Sequence, residues 1–181
     1  MAESENTLIP NDVRLVRLEP CEGESLPHYL GRLRRLEGNN VRSATALSTA
    51  VRIDAIIPQW EKGFFNPFPT EVQLAALGKV IGLEVDRLTE MLYPKGVTLD
   101  PRPIRLCGAC YAECPCHRIQ WQFKSKLSPR CDRHKLKLLM KCPGCETLFP
   151  PPSLWIEGRC QNKKCGMRYS RMAKHQRSVA Y

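Results

Sequence analysis

Eight cysteine and histidine residues recur as four close pairs in the second half of the chain. Two residues separate the members of the first three pairs and four separate those of the last, so both side chains of a pair can reach one ion. Four such ligands close a tetrahedral site, which is structural rather than catalytic. The spacing therefore predicts two structural Zn²⁺ ions, with the ligands Cys107, Cys110, Cys131 and His134 for one and Cys142, Cys145, Cys160 and Cys165 for the other.

The four motifs are expected to pair sequentially, because the loops inside the two sets have ordinary lengths of 20 and 14 residues. An interleaved pairing would use the same eight ligands. Nine of the ten cysteines lie between residues 107 and 165 and no secretion signal precedes them, which favours metal binding over a disulfide scaffold. Each structural ion would contribute ~10–16 kcal/mol of apparent folding free energy to a basic, proline-rich segment that lacks a sufficient core.

Three further residues stand next to the first pair in the order Cys-Pro-Cys-His. Cys114, Cys116 and His117 lie too close to Cys110 to add an independent tetrahedral site, and they are expected to be ordinary residues. Cys21 is isolated in the sequence and is expected to be a buried or free thiol.

Charge is distributed unevenly between the two halves of the chain. Residues 1–100 carry 11 Lys and Arg against 14 Asp and Glu, whereas residues 101–181 carry 17 against 4. The balance predicts a polyanionic partner, most simply nucleic acid, for the second half and protein partners for the first. Neither a leader nor an apolar run of about 20 residues is found, so we expect a cytoplasmic protein without a membrane partner.

Helical periodicity dominates the first half. Apolar residues at helical spacing from Leu26 to Leu36, with Ser25 as the N-cap, predict one helix, and Ser43 caps a weaker second one before a loop over 57–69. Thr70 and Gln73 form a capping box that opens a third helix ending at Gly82, followed by a fourth over 84–93. The expected buried stripe of the third helix is Val72, Ala75, Ala76, Leu77, Val80 and Ile81.

The last two helices have the spacing of a helix-turn-helix. An ordinary helical hairpin would explain the same spacing nearly as well. The second helix is a poor DNA reader, since Glu84, Asp86 and Glu90 outnumber Arg87. The expected fold is thus a mainly α helix-turn-helix domain and a small α+β zinc-finger or zinc-ribbon domain. Its parts are an N-terminal arm (1–24), the helical domain (25–95), a proline-rich linker (96–104), two zinc fingers (105–140 and 141–167) and a basic tail (168–181).

Basic and aromatic residues suggest two nucleic-acid contacts in the second half. The segment 117–124 alternates like a strand, and Trp121 either packs over the zinc or stacks on an unpaired base. The tail beyond Cys165 has no acidic residue and could be a solvated tail or order on a polyanion. The candidate contacts are Arg118, Trp121, Lys124, Lys126, Arg168, Arg171, Lys174 and Arg177.

Two segments of the sequence together resemble the TniQ family of transposition target-selection proteins. The first is Pro20-x-Glu22-Gly23-Glu24-Ser25-Leu26 with Tyr29-Leu30-x-Arg32-Leu33, and the second joins the Cys107/Cys110 knuckle, Arg118, Trp121, Cys131-x₂-His134, Leu138 and the Cys142/Cys145 knuckle. The resemblance spans residues 20–165. The last pair departs from it, with four residues between its ligands where the family has two.

The chain is similar in extent to the minimal TniQ of single-effector CRISPR-associated transposons. The resemblance implies a bacterial, non-catalytic protein that connects a single-effector Cas protein and its tracrRNA or guide RNA to the AAA+ ATPase TnsC. Target DNA is a further candidate partner. A sequence-specific DNA-binding regulator is the alternative. A zinc hydrolase would need an open coordination position, and all eight predicted ligands are already used; no small-molecule substrate is expected.

Overall fold

A computed structural model describes residues 14–96, 101–123 and 129–179. Most of the predicted arm, the middle of the predicted linker, and Lys124 and Lys126 lie outside these ranges. The helices are α1 (Leu26–Arg35), α2 (Ala44–Val51), α3 (Ile57–Glu61), α4 (Glu71–Ile81), α5 (Val85–Glu90) and α6 (Gly108–Glu113), together with 3₁₀ helices at Ile119–Phe123, Pro152–Leu154 and Tyr169–His175. Within the described residues, no helix combines the length and the apolar character that a membrane span needs.

Local sequence signals determine where several helices begin and end. The Thr70 side chain accepts a hydrogen bond from the backbone of Gln73, and the Gln73 side chain accepts one from the backbone of Thr70, which confirms the capping box. Ser43 caps α2 as predicted. Gly82 ends α4 in the left-handed conformation, at φ 72°. Gly78 is required where α4 meets the following turn, because a Cβ there would lie 2.4 Å from the carbonyl oxygen of Leu83.

The buried side chains form two separate hydrophobic clusters. One belongs to the helical half (14–96) and the other to the cysteine half (101–123 and 129–179). The helical cluster includes Leu26, Leu30, Leu33, Leu47, Trp60, Leu77, Ile81 and Leu88. The other cluster includes Leu106, Tyr111, Trp121, Leu138, Phe149, Trp155, Tyr169 and Met172. All seven predicted ligand cysteines lie in this cluster or pack against its edge, among them Cys107, Cys142 and Cys160.

The two halves nevertheless pack directly against each other. A Cβ on Gly31 of α1 would lie only 2.3 Å from the carbonyl oxygen of Ser153. The Ser153 hydroxyl donates to the Glu61 carbonyl over 2.8 Å, and Arg35 donates to the Ser153 carbonyl, also over 2.8 Å. Such contacts bury backbone polar groups from both halves, so the proline-rich linker does not keep the two halves apart.

Three features of the helical half differ from expectation. The residue Val72 is 79% exposed and Ala75 is exposed, because both lie on the opposite side of α4 from the stripe that contains Leu74, Leu77 and Ile81. The predicted loop over 57–69 contains α3. The fourth helix ends at Glu90 rather than residue 93, and the carbonyl of Met91 instead accepts a hydrogen bond from the first residue of α1.

The cysteine half also differs from the expected α+β arrangement. Antiparallel pairing among the described residues consists of isolated bridges, three of which flank the cysteine knuckles, at 130/137, 141/148 and 159/168. The segment 119–123 is a 3₁₀ helix rather than a strand, because the Gln122 side chain is held by the backbone of Pro101, Pro103 and Arg105. The basic segment after Cys165 is ordered against α6, with Tyr169 and Met172 buried.

Candidate metal centres

The first four-ligand cluster is formed by the start of α6 and a tight turn over 131–134. Cys107 caps α6 and Cys110 lies in its first turn. The Cys110 sulfur lies 3.4 Å from the Cys131 sulfur and 3.2 Å from Nδ1 of His134. Lys135 closes the turn in the left-handed conformation, at φ 55°. The four donor atoms therefore face one point between the two segments.

A carboxylate outside this cluster orients its histidine. Nε2 of His134 lies 2.9 Å from Oε1 of Glu113, while Nδ1 points toward the three sulfurs. Metal-binding histidines usually donate their second ring nitrogen to a carboxylate, which fixes the ring and the tautomer. Glu113 on α6 thus selects Nδ1 of His134 as the ligand atom, a role that sequence spacing did not indicate.

The second four-ligand cluster combines the knuckle at 142–145 with the turn at 160–165. The sulfurs of Cys142 and Cys165 are 3.7 Å apart, and those of Cys145 and Cys160 are 3.4 Å apart. The backbone amide of Cys160 donates to the Met167 carbonyl over 2.9 Å, which folds the four-residue spacer back on itself. The longer spacer therefore brings both of its cysteines to the site.

Both clusters fit a tetrahedral thiolate site. Metal–sulfur bonds of 2.3 Å place the ligand atoms of a tetrahedron about 3.8 Å apart, close to the separations observed. All ten cysteines are free thiols in this structure, so no disulfide competes for the ligands. The donors are grouped as the first four and the last four along the chain, which is the sequential pairing. Each cluster could hold a metal ion through four protein ligands.

A third group of cysteines was missed by sequence spacing. Cys21, Cys114 and Cys116 place their sulfur atoms within 4.8 Å of one another. Cys116 is buried, and the other two are half-buried. Cys21 is isolated in the sequence but not in the structure. The arm before α1 crosses the end of α6 and brings Cys21 next to Cys114, although 92 residues lie between them in the chain. The sequence signal that could have indicated this group was the Cys114-x-Cys116 pair together with Cys21, a third cysteine without an assigned role.

A buried polar network fixes the start of α1 next to these cysteines. Glu24 is fully buried, and its carboxylate contacts Nδ1 of His28 at 2.5 Å and the guanidinium of Arg32 at 2.7 and 2.8 Å. Burial alone would raise the pKa of Glu24, but the hydrogen bonds from His28 and Arg32 outweigh it and lower that pKa below its usual value. Glu24 therefore stays ionised and holds this region together.

His117 joins this network from the cysteine half. Its Nδ1 lies 2.8 Å from the Ser25 hydroxyl, so Ser25 contacts the other half instead of capping α1 with its side chain. Burial, with a contribution from His28, lowers the pKa of His117 to about 3. The ring is therefore neutral and serves as a packing residue, edge-on to Trp121 and Trp155.

The predicted nucleic-acid residues fall into two groups. Trp121 is only 2% exposed, so its ring packs in the core and its faces are not free for a base. Arg118 donates to the Glu22 carbonyl over 3.0 Å. Lys124 and Lys126 lie outside the described residues. The residues of the second group lie on and around the last 3₁₀ helix, and their side chains are all exposed: Arg168, Arg171, Lys174 and Arg177.

No protein-family model matches this sequence, and no curated protein matches it either. What the chain can do is therefore inferred from its own residues: the cysteine clusters, the contacts between the halves and the exposed basic side chains.

Proposed function

We propose that the protein is a non-catalytic, zinc-stabilised adaptor in RNA-guided DNA transposition, of the kind that the TniQ resemblance implies. In this role it binds the AAA+ ATPase TnsC on one side and a single-effector Cas protein with its tracrRNA or guide RNA on the other. It also contacts target DNA where the assembly brings that DNA within reach. The helices α4 and α5 serve as a helix-turn-helix for protein contact, and the two four-ligand clusters are zinc fingers. TnsC then recruits the transposase that performs the chemistry.

One observation carries this proposal: the two segments on which the resemblance depends touch each other. The backbone of Ser25 donates to the His117 carbonyl over 2.8 Å, and the backbone of Ile119 donates to the Gly23 carbonyl over 3.0 Å. Glu24 and Arg118 form an antiparallel bridge. Residues 94 positions apart in the chain thus build one structural unit, which supports a shared origin for both motifs and not two chance matches.

The chemistry of the four-ligand clusters supports a structural role for their ions. Three sulfurs and one nitrogen, or four sulfurs, fill the tetrahedral positions that Zn²⁺ prefers, and neither set leaves a position for water or substrate. Soft thiolate ligands favour zinc over hard cations such as Mg²⁺ or Ca²⁺. Zn²⁺ would therefore supply folding free energy here, while Cys107 and Cys142 are among the residues that hold it.

The surfaces of the two halves support different partners. On α5 and at its N-cap the exposed residues Glu84, Asp86 and Glu90 are acidic. The one arginine, Arg87, is paired with Glu90 at 2.5 Å. Phosphate groups would be repelled from this face, so it suits a protein partner such as the ATPase. The exposed basic residues around the last 3₁₀ helix suit RNA or DNA.

Reconstitution of guided insertion tests the adaptor role. Cas effector with guide RNA, TnsC, transposase and donor DNA are combined with or without the full-length protein, and insertion at the guided target is counted. We expect insertion to require the protein, and a pull-down to recover ATPase and effector together. Transposase cleavage on a target loaded by other means should not change. Equal guided insertion with and without the protein would contradict the role.

The basic surface is tested by its salt dependence. Alanine at Arg168, Arg171, Lys174 and Arg177 should reduce the log–log salt slope of assembly by up to ~3–4 if all four contact phosphates. A matched control replaces four exposed basic residues of the helical half, Arg14, Arg42, Lys62 and Lys95. The control removes the same charge and should leave the slope nearly unchanged. If both variants reduced the salt slope equally, the binding would depend on net charge alone and not on the surface around the last 3₁₀ helix.

A sequence-specific DNA-binding regulator is the second candidate. The close approach of α4 to the turn at Leu83, which Gly78 permits, is compatible with a helix-turn-helix that reads the major groove. Such a protein would discriminate by ~1–3 kcal/mol per key base pair and would lose this on Arg87→Ala. Selection from random duplexes with the isolated protein separates the candidates: a defined motif supports the regulator, and sequence-blind, salt-sensitive binding supports the adaptor.

A further inference from the structure

We propose that Cys21, Cys114 and Cys116 form a third metal site, which binds Zn²⁺ and fastens the arm before α1 to the end of α6. Neither four-ligand cluster uses these residues, and the adaptor role does not require them. The site would add a link between the helical half and the cysteine half that is independent of the contacts around Gly31.

The positions of the three sulfurs suit a single ion. A triangle whose sides are at most 4.8 Å has a point within about 2.8 Å of all three sulfurs, and zinc–thiolate bonds are about 2.3 Å long. Shifts of about half an ångström would therefore complete the site. All three residues lie outside the helices: Cys21 precedes α1, Cys114 is the C-cap of α6, and Cys116 follows it in a bend.

Hydrogen bonds already fix the two segments that carry the three cysteines. The amide of Cys116 donates to the Cys114 carbonyl over 2.7 Å, so the two thiols on either side of Pro115 belong to one tight turn. On the arm, the amide of Cys21 donates to the Glu24 carboxylate over 2.9 Å. Because both segments are held by hydrogen bonds, the site loses little conformational freedom when an ion binds.

Positive charge near the site offsets the third thiolate. Three thiolates with one Zn²⁺ carry a net charge of about −1. The Arg32 guanidinium lies 3.8 Å from the Cys21 sulfur, within reach of a charge-assisted N–H···S contact. The nearby Glu24 carboxylate repels the thiolates, and its contacts with His28 and Arg32 offset part of that repulsion.

The fourth position of this ion would face solvent, because Cys21 and Cys114 are both half-buried. Water would complete the tetrahedron in the isolated protein. Disulfide formation is the competing chemistry, but a disulfide would use two of the three sulfurs and leave the third without a partner. A metal ion uses all three, which is why the geometry favours it.

Metal content of the full-length protein, purified under reducing conditions with Zn²⁺ and then desalted, tests the site. The wild type should hold three zinc ions per chain, and Cys21→Ser should hold two. The matched control Glu22→Gln changes an exposed side chain one residue away and should still hold three. Retention of two ions and of the far-ultraviolet circular dichroism spectrum shows that C21S remains folded.

Cobalt provides a second measurement of the same site. Co²⁺ titrated into the reduced apoprotein should give thiolate-to-cobalt charge-transfer absorption that saturates at three equivalents in the wild type and at two in C21S. Two ions in the wild type would overturn the proposal, and so would three in C21S. Failure of guided insertion to depend on the protein would overturn the adaptor role but leave these counts unchanged.

Discussion

Replacement of Glu24 by glutamine is expected to destabilise the protein strongly. The Glu24 carboxylate is fully buried and accepts from the Arg32 guanidinium at two atoms and from the amide of Cys21, besides its contact with His28. Glutamine keeps the shape but removes the charge, and its NH₂ group must face one of these donors. Breaking a buried ion pair from one side costs about 3–5 kcal/mol. Since Arg32 remains 28% exposed, we expect the lower end, about 3 kcal/mol.

Urea unfolding of the zinc-loaded protein measures this loss. At a slope of about 2 kcal/mol per molar urea, the midpoint for Glu24→Gln should fall by about 1.5 M. Glu19→Gln is the matched control, because Glu19 pairs with Arg17 at 2.6 Å on the surface, where both side chains are mostly exposed. Such pairs contribute about 0–1 kcal/mol. Equal midpoint shifts for the two variants would refute the assignment of Glu24 as a buried anchor.

The contribution of the Glu24 charge to stability depends on pH with a defined sign. The pKa of Glu24 is lowered in the folded state, so its charge contributes stability that is fully present above the unfolded pKa of about 4.5 and is lost as the pH falls through the folded pKa. The stability difference between the wild type and Glu24→Gln should therefore be constant from pH 7 to about 5 and shrink below 4.5. A difference that stays constant into that acid range would contradict the lowered pKa.

Two further substitutions test the packing between the halves and the second cluster. Gly31→Ala should lower the free energy of unfolding by about 1–3 kcal/mol despite the better helix propensity of alanine, because its Cβ meets the backbone of Ser153; an unchanged urea midpoint would show that the halves separate easily. Cys145→Ser should remove one zinc ion and make residues 141–167 the first site of limited proteolysis, while α1–α5 keep their circular dichroism signal; simultaneous cleavage of both halves would show that they unfold together.

Signals that act over a few residues could be predicted from the sequence. The Thr70–Gln73 capping box, the Ser43 cap and the left-handed Gly82 each depend on neighbours within four positions, and all three are present. The two ligand sets were also predictable, because a knuckle needs only a turn of fixed length. The metal identity and the partners stay predictions.

Features that depend on distant residues could not be predicted. Cys21 meets Cys114 only because the arm crosses α6, and nothing within ten residues of Cys21 indicates that. The exposed face of α4 was misassigned at Val72 because a helix with many apolar residues does not show which side is buried. The segment 119–123 alternates between apolar and polar residues, which is typical of a strand. It forms a 3₁₀ helix because the Gln122 side chain donates to the backbone of the linker at Pro101.

The contact between Gly31 and Ser153 has a consequence for synthesis of the chain on the ribosome. These residues are separated by 122 positions, so at about 5–20 residues per second roughly 6–25 s pass after Gly31 is made before its packing partner exists. Throughout that interval the face of α1 that later meets Ser153 is uncovered, and for most of it His117, the partner of Ser25, is also still missing. Completion of α1 therefore depends on residues that are translated more than 80 positions later, and a ribosome that stops at the linker releases a helical half without its cover.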